Sequence, residues 1–382
     1  MYPLLRLDEE RCAWIDRVSA DIADLAEVSR AELETANKEN RFPREVFAEL
    51  GRRGYCAPMT PTEWGGSGGG VREYVVINEE TGRHGMVTPQ VSVQGQRWLL
   101  DWGTEEQKQR WLPGIAAGAL IFSESISETG AGSSFKQMKA TAVRDGSDWI
   151  LNGSKCHVNM GADCDVTLFY ANAEEGLTSF LVDTDLPGVH SEVSDAIGSR
   201  LIRTADVHLD DVRVRGEDLL GPPGAGVQTF LSTFNVSRLG NASELIGFGR
   251  RMLELAVNYA SARQVGDNLV TDFQGIQWML ADAWTGLQSA SLARDHAAEL
   301  YDRGADIALQ TTTAKQLAVV ASENASKAAF SMTGGHSLYH DQPFLAIDNE
   351  IKVLKVAGGS SEVMRNFIAR RILKDPGHEG LT

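Results

Sequence analysis

The stretch TDFQGIQWMLADAWTGLQSASLARDHAAEL, residues 271–300, has the most regular pattern in this 382-residue sequence. Its apolar residues recur at intervals of three and four, namely at Phe273, Ile276, Leu280, Ala283, Leu287 and Ala290. This spacing predicts a long helix with one apolar face, and either Thr271 or Asp272 would cap its N-terminus. A long helix of this kind buries its apolar face in a helical bundle.

The segments that follow also have helical patterns. Residues 314–335, AKQLAVVASENASKAAFSMTGG, predict a second long helix that ends at a pair of glycines. Residues 360–373, SSEVMRNFIARRIL, predict a third helix. We therefore assign residues 226–382 to a C-terminal four-helix bundle domain.

The middle of the chain has a different composition. Turn sequences such as RDGSD and NGSK separate seven short segments that are rich in β-branched or aromatic residues. The segments are LIFSESIS, KATAVRD, WILNGSK, DVTLFYA, TSFLVDT, GVHSEV and ADVHLDDVRV. They predict a β-barrel or β-sandwich domain at residues 119–225. Residues 1–118 carry helix signals and form an N-terminal helical domain, so the expected fold class is α+β.

Composition and charge limit the kinds of partner. The formal net charge of −16 at pH 7 disfavours nucleic acid, because phosphates need a basic protein surface. No apolar run approaches the roughly 18 residues of a membrane span, and the N-terminus lacks a signal-peptide pattern, so we expect a cytoplasmic protein. The four cysteines form no CxxC pair, which favours reduced thiols, and no metal site is predicted.

Several motifs, in the same order along the chain, resemble those of the acyl-CoA dehydrogenase family of flavoproteins. SETGAGS at 127–133 is similar to the family's TEPxAGSD, and RDGSDWILNGSK at 144–155 is similar to the hairpin before its flavin strand. YASARQVGDNLVTDFQGIQWMLADA at 259–283 resembles YAxxRxxFGxxIxxFQxxQxxLAD. SMTGGHSLY at 331–339 and GGSSEVMR at 358–365 resemble QxxGGxGY and EGTxEIxR.

The resemblance implies FAD as cofactor, an acyl thioester of CoA or of a carrier protein as substrate, and an electron acceptor or oxygen. It also implies a homodimer or homotetramer, in which the stripe at 273–290 and the RNFIARRIL helix at 365–373 would bury apolar faces between subunits. Arg263 would reach FAD across a subunit interface, because a planar guanidinium suits phosphate oxygens. Position-matching assigns FAD contacts to Ser127, Gly132, Ser133, His157, Asn159, Arg263, Gln274, Gly334, Gly335, Ser360 and Glu362.

The residue that starts the family's chemistry is missing. Members of the family remove the thioester α-proton with a carboxylate while a hydride passes from the β-carbon to flavin. In most members this carboxylate is the Glu of EGT, which aligns with Gly358 here. In others it precedes a conserved arginine, and here Ser237 precedes Arg238. A dehydrogenase of this sequence therefore needs its base at another position.

Glu244 is the leading candidate for a relocated base, with Arg238 as its neighbour in the catalytic set. It lies seven residues after Ser237, two turns along the same helix face. Alternatively, Glu244 pairs with Arg238 or with an interface arginine. Glu124, near the flavin, is the second candidate, and its alternative role is a hydrogen bond to the flavin edge. His157 replaces the tryptophan that covers the flavin, and packing or stacking is its alternative role.

Three functions fit these observations. The first is an FAD-dependent dehydrogenase of acyl thioesters with a relocated base. The second is a family member redirected to oxygenation, cyclisation or related flavin chemistry in specialised metabolism. The third is a non-catalytic subunit that completes the FAD site of a partner. The fold alone does not choose among them, because function depends on the site.

Overall fold

The computed structural model of the chain describes residues 9–132 and 134–374, which form two compact units. The first unit contains residues 9–28, 71–86 and 235–374, and the second contains residues 29–70 and 87–234. Ser133, which position-matching assigns to FAD, lies outside the described residues. No helix within the described ranges is long and apolar enough to cross a membrane. The domain limits at residues 118 and 225 stay predictions.

The first unit is helical and has its core in a bundle. Its helices, numbered in chain order over the whole chain, are α1 (Glu9–Val28), α4 (Val71–Arg83), α8 (Phe234–Ala260), α9 (Gln274–Asp302), α10 (Ala308–Thr333), α11 (Phe344–Val356) and α12 (Ser361–Lys374). A hairpin of β8 (Gln264–Val265) and β9 (Asn268–Leu269) precedes α9. Helices α9 and α10 pack along much of their length, because alanines on both helices allow a close approach. The predicted C-terminal helical bundle is confirmed.

The apolar stripe of α9 packs inside this bundle. Ala283, Leu287 and Ala290 are buried in the core, and Ile276 and Leu280 pack against it. The stripe is therefore covered within one chain, and the expectation that it lies between subunits is wrong for these residues. Three large apolar side chains at this helix stay exposed, namely Phe273 at its N-cap and Trp278 and Trp284 within it.

The predicted caps of α9 are also wrong. Phe273 takes the N-cap position and makes no side-chain cap hydrogen bond. Residues 270–272 form a 3₁₀ turn, in which the Asp272 carboxylate accepts a hydrogen bond of 2.7 Å from the Leu269 N–H. The side chain of Asp272 is thus used one turn earlier, and Thr271 lies in the same turn.

The second unit combines helices with one sheet. Its helices are α2 (Arg30–Glu39), α3 (Arg44–Arg52), α5 (Gln90–Trp102), α6 (Glu105–Ala116) and α7 (Gly226–Ser232). Its strands are β1 (Phe122–Ser125), β2 (Thr141–Asp145), β3 (Asp148–Val158), β4 (Val166–Ala173), β5 (Gly176–Asp183), β6 (Val189–Val193) and β7 (Ala205–Val214). Each of the seven segments predicted from the sequence forms one strand.

The strands form a single mixed sheet. This sheet is the β domain that the sequence predicts as a barrel or sandwich. Its order is β1-β4-β2-β3-β7-β6, with β5 also paired to β4. Strands β1 and β2 run parallel to β4, and the other pairs are antiparallel. The core of the sheet contains Trp149 and Phe180, whose rings meet edge to face at 5.4 Å. Because Glu124 pairs with Leu168 on β4, Tyr170 lies on the same face of the sheet as Glu124.

Candidate active site

The turn between α11 and α12 contains Gly358, which position-matching aligns with the family's catalytic Glu. Gly358 has φ of +65° and Gly359 has φ of +99°. Residues with a Cβ rarely adopt such angles, so this backbone favours glycine at both positions. The glycine at residue 358 therefore coincides with a turn conformation that disfavours any side chain there.

Lys315 of α10 holds this turn in place. Its side chain is fully buried, and its Nζ donates hydrogen bonds to the carbonyl oxygens of Ala357 and, at 3.0 Å, of Gly359. Burial, followed by the nearby Arg238 guanidinium, lowers the pKa of Lys315 to about 7. The sequence signal for this role is a lysine within an otherwise apolar helix face.

Asn241 of α8 fills the space beside the same turn. A Cβ placed on Gly358 would overlap with the Asn241 amide nitrogen, and it would lie 3.5 Å from Lys315 Nζ. The Asn241 amide also donates a hydrogen bond of 3.4 Å to the carbonyl of Ala357. Asn241 was not identified from the sequence, although it is a polar residue within an apolar stretch of α8.

Arg238 lies one turn before Asn241 on α8 and is also buried. Its Nη1 donates a hydrogen bond of 2.8 Å to the hydroxyl of Thr312, and its guanidinium lies over the ring of Phe367 at 5.7 Å. Burial lowers the pKa of Arg238 to about 10. Two basic side chains, Arg238 and Lys315, are thus buried near a turn that has no carboxylate of its own.

Glu244 lies one turn after Asn241 on α8 and is 7% exposed. Within the described residues its carboxyl group forms neither an ion pair nor a hydrogen bond, so the predicted alternative of a pair with Arg238 is not observed. Burial, followed by the charge of Glu350, raises the pKa of Glu244 to about 8. The side chain packs against Gly82 of α4, where a Cβ would lie 3.2 Å from Glu244 Cγ. Glu244 is therefore a desolvated acid whose carboxylate is more basic than that of an exposed glutamate.

In the second unit, Glu128 organises the turn that begins at Ser127. Its carboxylate accepts hydrogen bonds from the N–H groups of Lys139 and Ala140 and, at 2.8 Å, from Lys155 Nζ. The carbonyl of Ser127 accepts a hydrogen bond of 2.8 Å from the Cys156 N–H. These contacts fix the turn to strand β3.

Glu124 and Tyr170 form a second pair of buried polar groups on the sheet. Glu124 Oε1 and the Tyr170 hydroxyl are both buried and have no hydrogen-bond partner within the described residues. Burial raises the pKa of Glu124 to about 8, and burial together with Glu124 raises the pKa of Tyr170. Glu124, which lies in the second unit, thus has the desolvated environment that a relocated base requires.

His157 is the second-last residue of β3, and Asn159 directly follows that strand. His157 is exposed and has φ of +58°, which is uncommon for a residue other than glycine and points to a constrained position. Its N–H donates to Asp206 Oδ1 at 3.3 Å, and the carbonyl of Asn159 accepts from Ser123 Oγ at 2.8 Å. The His157 side chain is therefore available to a bound group.

The remaining predicted FAD contacts lie in the first unit and are mostly exposed. Arg263 lies before β8, and Gln274 is the first residue of α9. Gly334 ends α10 with φ of +55°, and a Cβ on Gly334 or Gly335 would meet nothing within 4 Å. At the start of α12, the Ser360 hydroxyl accepts from the Val363 N–H at 3.4 Å, and Glu362 is exposed. The contacts found for these residues do not join them to Glu244.

Comparisons with known proteins identify the class. The chain matches the N-terminal, middle and C-terminal domains of acyl-CoA dehydrogenase at residues 17–119, 123–212 and 224–373. Acyl-CoA dehydrogenase FadE12 of Mycobacterium tuberculosis is 31% identical over 353 residues, which cover 89% of this chain and 90% of the relative. The mitochondrial short-chain specific acyl-CoA dehydrogenase of Rattus norvegicus is 30% identical over 348 residues, or 88% of this chain and 84% of the relative.

Solved structures agree with these matches. A glutaryl-CoA dehydrogenase in complex with glutaryl-CoA has a TM-score of 0.92 at 25% identity, and the match covers 97% of this chain and 96% of the other. A glutaryl-CoA dehydrogenase of Mycobacterium smegmatis in complex with FADH2 has a TM-score of 0.90 at 26% identity, with 98% and 97% covered. The fold and the motifs thus define a flavoenzyme. The chain belongs to the acyl-CoA dehydrogenase family, whose members bind FAD.

The turn after Ser127 fits such a cofactor. Gly130 and Gly132 do not have positive φ, and a Cβ on either residue would meet nothing within 4 Å. Neither the backbone conformation nor packing against the described residues therefore explains these glycines. An open turn without side chains allows a bound group to approach backbone N–H groups closely, as a pyrophosphate or flavin requires.

Proposed function

We propose that this protein is an FAD-dependent dehydrogenase of acyl thioesters, carried on CoA or on a carrier protein, with Glu244 as its relocated base. The observation that carries the proposal is the position of Glu244. It is a buried carboxyl group without a partner in the described chain, one turn along α8 from the Asn241 that contacts Gly358. Removal of an α-proton needs a base that is close to the reacting carbon and more basic than an exposed carboxylate.

The reaction removes a proton and a hydride from the substrate and leaves an enoyl thioester. Bound FAD supplies the acceptor for the hydride. Glu244, in its ionised form, takes the proton from the α-carbon onto its carboxylate. Its raised pKa makes that carboxylate a better match for a weakly acidic C–H group, at the cost of a smaller ionised fraction at pH 7. Lys315 keeps the 357–359 turn fixed through two backbone carbonyls, so the surroundings of the substrate are preorganised.

The residues proposed to hold FAD fall into two groups. In the second unit they are Ser127, Gly132, Ser133, His157 and Asn159. In the first unit they are Arg263, Gln274, Gly334, Gly335, Ser360 and Glu362, and their exposure is consistent with contacts to the cofactor of a neighbouring subunit. The exposed apolar side chains of Phe273, Trp278 and Trp284, at the start of α9 and within it, support a homodimer or homotetramer. A cytoplasmic location and an electron acceptor or oxygen complete the proposal.

Flavin reduction by a panel of acyl thioesters, under anaerobic conditions, tests the proposal. We expect Glu244→Gln to retain FAD and to reduce flavin about 10²–10⁴-fold more slowly than the wild type. Glu124→Gln is the matched comparison, because Glu124 is also a buried acid with a pKa of about 8. If only Glu124→Gln is slow, the base is Glu124 and the assignment to Glu244 is wrong. If the wild-type protein holds FAD but no thioester reduces it, redirected chemistry replaces dehydrogenation, and a protein that binds no FAD is a non-catalytic subunit.

A further inference from the structure

Helix α4 carries two buried polar side chains that face α8. Tyr74 and Asn78, one helical turn apart, are both 0% exposed. The Tyr74 hydroxyl and both polar atoms of the Asn78 amide have no hydrogen-bond partner within the described residues. Burial and the charge of Glu244 raise the pKa of Tyr74, and the nearby Asn78 amide offsets part of that rise.

Three unpaired polar atoms in one place are expensive. A buried donor or acceptor without a partner costs about 1–3 kcal/mol, and folded proteins keep few of them. Tyr74→Phe and Asn78→Leu would remove these atoms at almost constant volume, so packing alone does not require the polar residues. A hydrogen-bonding group from outside the chain would remove the cost.

The two side chains meet α8 at a glycine and beside the proposed base. A Cβ on Gly240 would overlap with the Tyr74 hydroxyl and would lie 2.9 Å from the Asn78 amide nitrogen. Glu244 lies one turn further along α8 and is near enough to Tyr74 to affect its pKa. The unpaired atoms therefore adjoin the group to which we assign proton abstraction.

We propose that Tyr74 and Asn78 recognise a small hydroxyl group on the acyl chain of the substrate, an inference that rests on the proposed function. Tyr74 and Asn78 together offer donors and acceptors, which matches a hydroxyl group that both donates and accepts. The polar groups of Tyr74 and Asn78 are an uncharged hydroxyl and an uncharged amide, which favour a hydroxyl over an ammonium or a carboxylate.

The test compares kcat/KM for hydroxyacyl-CoA substrates with kcat/KM for unsubstituted acyl-CoA substrates of equal length. The panel moves the hydroxyl along the chain and includes an amino-acyl analogue. We expect the wild-type protein to prefer one hydroxyacyl substrate at least tenfold. Tyr74→Phe and Asn78→Leu should each reduce that preference about tenfold or more and should raise kcat/KM for the unsubstituted substrate, because no polar group is then left unpaired. Asn366→Leu, at an exposed position of α12, is the control and should leave the preference unchanged.

The possible failures are separable. If the wild-type protein reduces its flavin with acyl thioesters but shows no hydroxyl preference, the recognition site is wrong while the proposed function stands. If both variants lower every rate equally and leave the preference unchanged, Tyr74 and Asn78 bind only an ordered water and the proposal is overturned. A preference for the amino-acyl analogue that both variants abolish would overturn the assignment to a hydroxyl. If no thioester reduces the flavin, the proposed function fails first. FAD content and thermal unfolding of each variant show that the fold is intact.

Discussion

The amide nitrogen of Asn241 occupies the space in which a side chain at Gly358 would begin. Asn241 lies on α8 and Gly358 lies in the turn after α11, both in the first unit. The Asn241 amide also donates a hydrogen bond to the carbonyl of Ala357. The absence of a carboxylate at residue 358 is therefore part of a local arrangement of three features: a positive-φ turn, a packed amide and a buried lysine.

Restoring a side chain at position 358 should fail in the single variant. Gly358→Ala should destabilise the protein by about 1–2 kcal/mol because of the positive φ and by about 1–3 kcal/mol more because of the overlap with Asn241. Adding Asn241→Ala should recover only the overlap. Denaturant unfolding of the wild type, both single variants and the double variant measures the two contributions. Equal destabilisation by Gly358→Ala with and without Asn241→Ala would show that the contact is relieved by a small movement.

Removing the Lys315 amine should loosen the same turn. Lys315→Met keeps the apolar stem but leaves the carbonyl oxygen of Gly359 without this donor and that of Ala357 with only the 3.4 Å bond from Asn241, at a cost of about 1–3 kcal/mol in total. The matched control is Lys352→Met, which breaks an exposed ion pair with Asp348 on α11 and should cost less than about 1 kcal/mol. Denaturant unfolding compares the two, and similar small losses would show that Lys315 does not hold the turn.

The sequence predicted secondary structure where one periodicity dominates. The seven strands were predicted because turn residues separate short β-branched segments, and α9 and α10 were predicted from apolar spacing. Helix α5, QVSVQGQRWLLDW, has no such pattern because several of its polar residues face the interior of the second unit. Gln96, for example, is 1% exposed and donates to the carbonyls of Cys56 and Ser92. A hydrogen bond from a distant segment makes this burial possible, and spacing along the chain does not reveal it.

The candidate site was predictable only in part. Motif matching located Gly358 and named Glu244 and Glu124, which are both buried acids with raised pKa. It missed Asn241, Lys315 and Tyr74, because their roles depend on contacts between helices far apart in sequence. The sequence signal for these three residues is a polar side chain within an apolar helix face. Such a side chain indicates that a hydrogen-bond partner is needed, but it does not identify the partner.

Stability should fall with pH through the titration of Glu244. The pKa of this carboxyl is about 8 in the folded protein and near 4.5 when exposed, so between these values the folded state keeps a proton that the unfolded chain has released. The free energy of unfolding then decreases as pH rises, by at most about 1.4 kcal/mol per pH unit. Glu244→Gln should remove this contribution. The stability of the variant relative to wild type should therefore increase as pH rises from about 5 to about 8.

Unfolding free energies of both proteins at several pH values check this prediction. Glu299→Gln, which changes an exposed glutamate of α9, serves as the control and should follow the wild-type pH dependence. A constant difference between Glu244→Gln and wild type over the whole range would contradict the raised pKa. Flavin reduction should rise over the same range, because only the ionised carboxylate accepts a proton.

Arg263→Ala should weaken FAD binding without unfolding the chain. The backbone of Arg263 is fixed, since its N–H donates to the Tyr259 carbonyl at 3.0 Å and its carbonyl accepts from the Val270 N–H at 2.9 Å, while its side chain is exposed. A charge-assisted hydrogen bond to a phosphate contributes about 1.5–3 kcal/mol, so the dissociation constant for FAD should rise about ten- to a hundredfold. FAD titration of the apoprotein measures this change, and Arg303→Ala, at an exposed arginine beyond α9, should leave it unaltered. Sedimentation at the same protein concentrations should show a dimer or tetramer for the FAD-bound wild type. A stable FAD-bound monomer, or an Arg263→Ala protein with wild-type affinity, would refute a site that Arg263 completes across an interface.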